Sequence, residues 1–301
     1  MQLFVSQFLN GIGNGVVYGS IALALVLIFR VTGILNFAQG EMALFSTYIS
    51  WKLTTEDVPI VLAIALSMAI AFVAGAVIER VLIRPVEEAR SPLNVVIVTL
   101  GMFLAINSLV QLSFGTQPHS MESPFPDGRI ELFSSGGSAV EIQKQTIGLI
   151  VVLVGECVLL WLLLQKTRLG LRLRAVASNP DASRLMGINA GAMLMVGWGL
   201  AAALGAVAGS LVASAPGQAG FDASLMQGIL VYAFAAAALG GFDSLMGAVV
   251  GGLVVGVANA LTIQYVGALD GIEVVVPLAL ILAVLLVKPN GLFGRTTVER
   301  V

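Results

Sequence analysis

Residues 166–190 read KTRLGLRLRAVASNPDASRLMGINA and carry five of the fifteen basic residues of the chain. These five are Lys166, Arg168, Arg172, Arg174 and Arg184. Apolar runs long enough to cross a membrane lie on both sides of this segment. A charged side chain at the centre of a bilayer is costly, so the segment is expected to lie outside the hydrocarbon. It therefore predicts two membrane spans joined by a basic loop.

The composition extends this prediction to the whole chain. Of its 301 residues, 58% are hydrophobic and only 11% are charged, and the mean hydropathy is +0.98. Soluble domains carry about 25% charged residues, and a soluble fold this apolar would have too little polar surface to face water. We therefore predict an all-α, polytopic membrane protein with one transmembrane domain over residues 1–301.

The composition also argues against several kinds of chemistry. The chain has one cysteine, Cys157, and one histidine, His119, which disfavours a Cys–His dyad and a His/Cys metal cluster. It contains no GxxxxGK[ST] phosphate loop, so we expect no ATP to bind in that manner. The expectation is a chain without catalytic residues, metal or cofactor of its own.

Apolar segments predict about nine membrane helices, within a range of eight to ten. They lie at about 7–29, 34–51, 59–79, 93–114, 146–165, 192–213, 225–241, 245–264 and 272–287. Polar residues open the segment at 34–51 and interrupt the pair between 225 and 264. These three are candidates for half-helices or re-entrant segments.

The basic residues set the predicted orientation, because cytoplasmic loops are enriched in Lys and Arg. With the N-terminus outside and alternating spans, twelve basic residues fall inside and three outside. The inner twelve are the five of the 166–190 segment with Arg30, Arg80, Arg84, Arg90, Lys288, Arg295 and Arg300; the outer three are Lys52, Arg129 and Lys144. The prediction is an external N-terminus, a cytoplasmic C-terminus and a cytoplasmic 166–190 segment.

Residues 115–145 form the long external loop of this topology and are rich in Pro, Gly, Ser and acidic residues. The stretch RIELF at 129–133 predicts a short strand. Long connections are often functional or mobile. A solvated lid and a docking surface for an external partner both remain open for this loop.

The residues around Asn179 predict a short helix within the basic segment. Residues 167–178 are expected to extend the preceding helix before a break. Asn179 is a good N-cap, Pro180 fits the first helical position, and Asp181 suits the positive helix end. Gly187 can stop the helix. A helix with two defined ends is a rigid contact for a partner, whereas an ordinary basic loop would set topology and touch lipid headgroups. Both interpretations stay open.

Two short stretches suggest an internal repeat. Residues 15–18, GVVY followed by SIALAL, are similar to residues 228–232, GILVY followed by AFAAAAL. Transporters are commonly built from repeats, with the solute passing at the repeat interface. The alternative is chance, because such residues recur throughout an apolar chain.

Four groups of motifs occur between residues 31 and 294. The basic segment holds Thr167-Arg168-x-Gly170, Arg174-Ala-Val-Ala, Asn179-Pro-Asp-Ala and Leu185-Met-Gly-Ile-Asn189. The others are Val31-Thr-Gly-Ile-Leu-Asn36-Phe-Ala-Gln-Gly40-Glu41, then Gly240-Gly-Phe-Asp-Ser-Leu-Met-Gly247-Ala-Val-Val-Gly-Gly252, then Lys288-Pro-Asn-Gly-Leu-Phe-Gly294. Together they resemble the permease subunits of branched-chain amino acid ABC importers. Gln39 departs from the histidine that is common in that family.

The resemblance implies a non-catalytic permease that translocates branched-chain or related amino acids delivered by a periplasmic or extracellular binding protein. It implies separate subunits that bind and hydrolyse ATP, a second homologous permease in a heterodimer, contact with membrane lipid and none with nucleic acid. It places the chain in the bacterial cytoplasmic membrane. In the family the basic loop carries the coupling helix that contacts the ATPase, which here corresponds to Arg174, Asn179, Pro180, Asp181, Ala182, Arg184, Leu185 and Gly187.

Polar residues inside the apolar segments are the candidates for the solute path, because such residues usually face protein or water. The main candidates are Asn36, Gln39, Gly40, Glu41, Asn107 and Glu156, followed by Asn14, Gln227, Asn259 and Glu273. Gly40 is expected to permit a helix break within the NFAQGE element. Interhelical hydrogen bonding, without contact to solute, is the alternative for each.

A second function class also fits the composition. An ion-gradient-driven secondary transporter or a channel for a small polar solute would need a membrane-embedded acid, and Glu156 is the clearest one. A membrane enzyme fits worst, because one His and one Cys leave little for acid–base catalysis.

Overall fold

The computed structural model describes residues 2–87, 92–135, 138–215, 220–267, 272 and 274–294, which are mostly helical. The helices are α1 (Gln2–Thr32), α2 (Gln39–Thr55), α3 (Ile60–Ile78), α4 (Arg84–Glu87), α5 (Pro92–Phe114), α6 (Lys144–Lys166), α7 (Arg168–Ser178), α8 (Pro180–Leu185), α9 (Ala190–Ala213), α10 (Leu225–Gly240), α11 (Leu245–Tyr265) and α12 (Val275–Val287). A π-helical turn, Glu79–Ile83, joins α3 to α4. Each of the nine predicted apolar segments has a helical counterpart.

The short strand predicted at residues 129–133 is confirmed. Strands β1 (Arg129–Ser135) and β2 (Ser138–Gln143) pair antiparallel, and RIELF lies at the start of β1. Arg129 and Glu141 face each other across the hairpin, with Nη1 and Oε2 3.1 Å apart. This exposed ion pair contributes little stability, and the backbone ladder defines the hairpin.

Six helices of the described part are long and apolar enough to cross a membrane: Gln2–Thr32, Ile60–Glu87, Leu93–Phe114, Lys144–Lys166, Ala190–Ala213 and Leu245–Tyr265. α10 and α12 are apolar but shorter, and α2 has 17 residues. The chain is thus a polytopic, helical membrane protein, while the count of nine spans and the orientation stay predictions. Arg90, Glu273, Arg295 and Arg300 lie outside the described residues.

The chain divides into two compact units. The first comprises Met1–Val26, Phe125–Val154 and Gly228–Val301, and the second comprises Leu27–Pro124 and Gly155–Gln227. α1 and α6 contribute residues to both.

In the first unit, glycines bring α1 and α11 together. A Cβ atom at Gly11 would lie 2.6 Å from the Cα of Val257, and one at Gly15 would lie 2.7 Å from the Cα of Leu253. Such distances leave no space for a side chain, so the two backbones are in direct contact. Small residues allow this close packing in a membrane, where hydrocarbon solvent provides no hydrophobic force between helices.

In the second unit, α9 packs against both α2 and α3. Three fully buried serines join these helices and are called the serine triad: Ser50 on α2, Ser67 on α3 and Ser210 on α9. The Ser50 hydroxyl donates to Ser67 at 2.6 Å and lies 2.9 Å from the hydroxyl of Ser210. The three helices are therefore held by hydrogen bonds as well as by packing.

The start of α2 lies beside the middle of α9, which corrects the predicted helix at 34–51. α1 ends at Thr32, Gly33 adopts a left-handed φ of +74°, and residues 34–38 are not helical. Gln39, the first residue of α2, donates from Nε2 to the carbonyl of Ala201 at 2.9 Å. The break assigned to Gly40 is likewise wrong, because Gly33 ends the preceding helix and Gly40 is already helical.

Candidate functional site

The polar candidates on the NFAQGE element form a buried hydrogen-bonded turn. The side chain of Asn36 accepts from the backbone N–H of Ala38 at 3.0 Å and donates to Oε1 of Gln39 at 3.3 Å. Asn36 is 1% exposed and Gln39 is fully buried. The turn aims the first residues of α2 at α9, because the Gln39 amide spans from Asn36 to the Ala201 carbonyl.

Glu41 and Asn107, two of the predicted path residues, are in direct contact. Glu41 is fully buried, and its Oε2 accepts from Nδ2 of Asn107 at 3.0 Å. The same Nδ2 donates to the carbonyl of Ala223 at 2.8 Å, and Asn107 accepts from Gln111 at 2.6 Å. The cluster therefore joins α2, α5 and the segment that leads into α10.

The second carboxylate oxygen of Glu41 is unsatisfied. Oε1 has no hydrogen-bond partner among the described residues, although it is shielded from solvent. A buried carboxylate oxygen without a donor is energetically costly, and an ammonium or hydroxyl group brought beside it would relieve that cost.

The N-terminus of α2 adds a site of opposite polarity. Its N-cap, Ala38, makes no side-chain hydrogen bond to the helix. The backbone N–H groups of a first helical turn carry partial positive charge and favour anions. Asn36, Gln39, Gly40 and Glu41 thus place a helix N-terminus and a carboxylate within one turn of each other.

An apolar cavity of about 150 Å³ lies between α2, α3, α5 and α9. Its lining residues are Met42, Phe45, Ser46, Ile49, Ile70, Ala71, Ala74, Ile78, Ile106, Leu109 and Ala202. Met42 directly follows Glu41 in the sequence, but neither Glu41 nor Asn107 lines the cavity. These residues could not be predicted from the sequence, because apolar side chains that line a cavity are indistinguishable from core residues in a linear pattern.

Of the remaining path candidates, Asn14 and Asn259 belong to the first unit, and Glu156 and Gln227 belong to the second. Glu156 is 6% exposed on α6 and Asn259 is 4% exposed on α11, whereas Asn14 and Gln227 are exposed. The structure therefore brings Asn36, Gln39, Gly40, Glu41 and Asn107 into one region of the second unit.

The predicted extension of the preceding helix through 167–178 is wrong. α6 ends at Lys166, and Thr167 caps a new helix, α7, by accepting from the N–H of Gly170 at 3.0 Å. A Cβ atom at Gly170 would collide with the backbone of Leu163 and Leu164. The chain turns so sharply at Thr167 that the first turn of α7 lies against the end of α6.

The short helix predicted at Asn179 is confirmed as α8. The side chain of Asn179 accepts from the N–H of Ala182 at 2.9 Å, and Pro180 occupies the first position. Asp181 and Arg184 form an exposed ion pair at 3.2 Å. The helix is therefore fixed at its N-terminus as the sequence predicts.

The end of α8 is a Schellman turn at Gly187, whose φ is +79°. Gly187 N–H donates to Arg184 O and Ile188 N–H donates to Ser183 O, both at 3.0 Å. This double pattern with a left-handed glycine defines the motif. The predicted stop at Gly187 is therefore confirmed.

The surface of α8 is apolar at its C-terminal end. Leu185 is 91% exposed and Met186 is 71% exposed, while Ser183 is buried beneath them. Arg174 on α7 points back to α6, where its Nη1 donates to Oε1 of Gln165 at 3.0 Å. The exposed apolar pair, held on a helix with two fixed ends, has the character of a contact surface.

A sequence model of the family described as "Branched-chain amino acid transport system / permease component" matches residues 7–285. The chain is 31% identical to the high-affinity branched-chain amino acid transport system permease protein LivH of Salmonella typhimurium, over 99% of this chain and 98% of that one. It is 32% identical to the corresponding permease protein BraD of Pseudomonas aeruginosa, with the same coverage. A probable LivH of Methanocaldococcus jannaschii is 27% identical over 91% of this chain and 87% of its own.

These matches extend over nearly the whole chain and agree with the six apolar helices. The protein is accordingly a multi-pass protein of the inner membrane that serves transport. The chain belongs to the family of branched-chain amino acid transport system permeases.

Proposed function

We propose that this chain is the permease subunit of an ABC importer for branched-chain or related amino acids. A binding protein outside the membrane delivers the solute, and separate ATPase subunits bind and hydrolyse ATP. A second, homologous permease completes the pathway as a heterodimer. The chain itself performs no catalysis and holds no cofactor.

The proposed topology has nine spans, an external N-terminus and a cytoplasmic C-terminus. The excess of twelve inner over three outer basic residues supports it. In this orientation the 166–190 segment, with α7 and α8, lies in the cytoplasm, and the β1–β2 hairpin lies outside.

The observation that carries the solute proposal is the buried Glu41 carboxylate with one unsatisfied oxygen. A zwitterionic amino acid would bind there by its ammonium group, while its carboxylate would face the N-terminus of α2. Half-helix N-termini serve substrate carboxylates in this way in other transporters. Asn36 and Gln39 position the first turn of α2 by hydrogen bonds, and Asn107 positions the Glu41 carboxylate by donating to it.

The apolar cavity between α2, α3, α5 and α9 suits the aliphatic part of the solute. Its volume is about 150 Å³ and its lining is apolar. An engineered apolar cavity of that size in another protein stays dry and binds benzene, so a four-carbon side chain fits. We therefore infer selection for aliphatic over charged amino acids.

α8 is proposed as the coupling helix that docks in the ATPase. Leu185 and Met186 would supply the apolar contact, and Arg184 with Asp181 would supply its charged rim. Apolar centres with charged rims are typical of protein interfaces. Asn179, Pro180, Ala182 and Gly187 keep the helix rigid, and Arg174 anchors α7.

The test is leucine uptake by the complete transporter in proteoliposomes with ATP inside. Glu41→Gln keeps the shape and removes the charge, so uptake should fall about a hundredfold, the order expected for losing a buried charged hydrogen bond of about 3 kcal/mol. Glu56→Gln, at the exposed other end of α2, is the matched control and should leave uptake unchanged. Equal uptake by the two variants would contradict the solute site.

A secondary transporter is the second candidate, because Glu156 is a buried acid on a membrane-length helix. Its test is uptake into the same vesicles without ATP or ATPase, driven by a proton gradient. Gradient-driven uptake that Glu156→Gln abolishes would establish this alternative, and strict dependence on ATP would exclude it.

A further inference from the structure

Glu79 and Arg84 form an ion pair at the end of α3 that leads into α4. The Glu79 side chain is fully buried and that of Arg84 is 30% exposed. Arg84 donates from Nε to Oε1 at 3.2 Å and from Nη2 to Oε2 at 2.8 Å. This two-pronged geometry fixes orientation, whereas the desolvation of a buried pair offsets much of its contribution to stability.

The pair begins in the π-helical turn Glu79–Ile83. π-turns are rare and frequently mark functional positions. Here the wider turn lets Arg84 fold back on Glu79, five residues earlier, which places the guanidinium at the surface of α9.

The same guanidinium is also bonded to α9. Nη2 of Arg84 donates to the carbonyl of Gly191 at 2.8 Å. Gly191 is the second residue of α9, and a Cβ atom there would lie 2.7 Å from Cζ of Arg84. The absence of a side chain at position 191 therefore allows the contact.

The first turn of α9 follows α8 through a short connection that is hydrogen-bonded at each end. Four residues, 186–189, separate the two helices. Ile188 N–H is bonded to Ser183 O within α8, and the Asn189 side chain accepts from Ala192 N–H at 3.0 Å within α9. A displacement of α8 would therefore reach the turn that holds Gly191 through only four residues.

We infer that Glu79, Arg84 and Gly191 form a clamp that makes α3 and α9 move as one body when α8 is displaced. This inference rests on the proposed role of α8 as the ATPase contact. The serine triad then carries the movement from α3 and α9 to α2, which holds Glu41. Glu79 and Arg84 are positioning residues that touch neither ATP nor solute.

The experiment measures leucine uptake and ATP hydrolysis in the same proteoliposomes, with the complete transporter and its binding protein. Arg84→Lys keeps the positive charge but loses the two-pronged hydrogen bonding to Glu79. Gly191→Ala displaces the Arg84 guanidinium. Uptake per ATP hydrolysed should fall about tenfold in each, the order expected for one charge-assisted hydrogen bond, while hydrolysis itself persists. Arg80→Lys, an exposed arginine of the same turn, is the control and should keep the wild-type ratio.

A purely structural role would lower ATP hydrolysis, uptake and assembly together and leave uptake per ATP hydrolysed unchanged. That result would overturn the clamp. An unchanged ratio in active, assembled variants would overturn it equally. If Arg84→Lys does not assemble, Gly191→Ala decides, since it leaves both charged residues, Glu79 and Arg84, in the chain. Wild-type protein without ATP-dependent uptake would instead refute the proposed function, and with it the basis of the clamp.

Discussion

Tyr18 and Tyr232 stack face to face, with ring centroids 4.7 Å apart and ring planes 9° from parallel. Both belong to the first unit, and Tyr18 is 9% exposed. They end the two similar stretches GVVY and GILVY. The two stretches of the suggested repeat thus meet at equivalent residues.

This stacked pair should contribute a measurable coupling. Replacing Tyr18 and Tyr232 by Leu, singly and together, should reveal a pairwise coupling of about 1 kcal/mol, as expected for aromatic pairs. Unfolding of the purified chain in detergent measures it. Tyr18→Phe retains the ring and should retain the coupling, and additive Leu variants would contradict the prediction.

Gly75→Ala should destabilise the second unit. The added Cβ atom would lie 2.7 Å from the carbonyl oxygen of Trp198 and 2.8 Å from the Cβ of Ala202, so α3 and α9 must separate. Overpacking of this kind costs about 1–3 kcal/mol. Thermal unfolding in detergent measures the change.

Gly101→Ala on α5 is the matched control for that substitution. Nothing lies within 4 Å of a Cβ atom at position 101, and the residue is helical. Alanine there should raise stability by up to about 1 kcal/mol, because glycine is a poor helix former. Equal effects of the two alanines would show that α3 and α9 are not in close contact.

Asn179→Ala should weaken the binding of the ATPase subunits. It removes the side-chain acceptor of Ala182 N–H, and loss of such a cap costs about 1 kcal/mol, or roughly fivefold in affinity. Titration of the reconstituted permeases with labelled ATPase measures it. Asn179→Asp keeps the acceptor and should bind as the wild type does. A wild-type affinity for the alanine variant would argue that α8 is not the contact.

Asp222 should give the protein an acid-sensitive element. Its carboxylate accepts from the hydroxyl of Ser224 at 2.6 Å and from its N–H at 2.8 Å, and these bonds lower the pKa of Asp222 below its ordinary value of 3.8. Because the pKa of Asp222 is lower in the folded protein, its carboxylate stabilises the fold fully at pH values above the ordinary pKa of 3.8. This stabilisation is lost as the pH falls through the pKa of the folded state.

Thermal unfolding at several pH values tests whether Asp222 loses its stabilising effect at low pH. The wild type should be more stable than Asp222→Asn by a constant margin between about pH 7 and 5, and the margin should shrink below about pH 4. A margin that stays constant as the pH falls below about 4 would contradict the assignment, because a lowered pKa requires the stabilisation to be lost there.

Much of the fold could be predicted from the sequence, because apolar length and capping residues are local signals. Asn179, Pro180 and Gly187 predicted α8 to within two residues of its end. The break at Thr167 was missed although Thr167 is a good N-cap, because the residues on either side also suit a continuous helix. The packing of Gly170 against the end of α6 is a contact that the local pattern does not record.

The candidate site was predicted less completely for the same reason. Polarity within an apolar segment singled out Glu41 and Asn107, but their pairing across 66 residues is a tertiary contact. The start of α2 was misplaced because the apolar Ile34 and Leu35 were counted with the span that follows them. Gly33 ends α1 through its backbone conformation, which the composition of the segment does not reveal.

The hydrogen-bond partners of α2 lie far along the sequence, and this affects how the protein is inserted during synthesis. α2 contains Gln39, Glu41 and Ser50, which bond to residues far along the chain: Gln39 to a carbonyl 162 positions later and Ser50 to a hydroxyl 160 positions later. During synthesis, α2 therefore enters the translocon long before α9 exists. Until α9 is inserted, water or the insertion machinery must satisfy these polar side chains in place of their final partners.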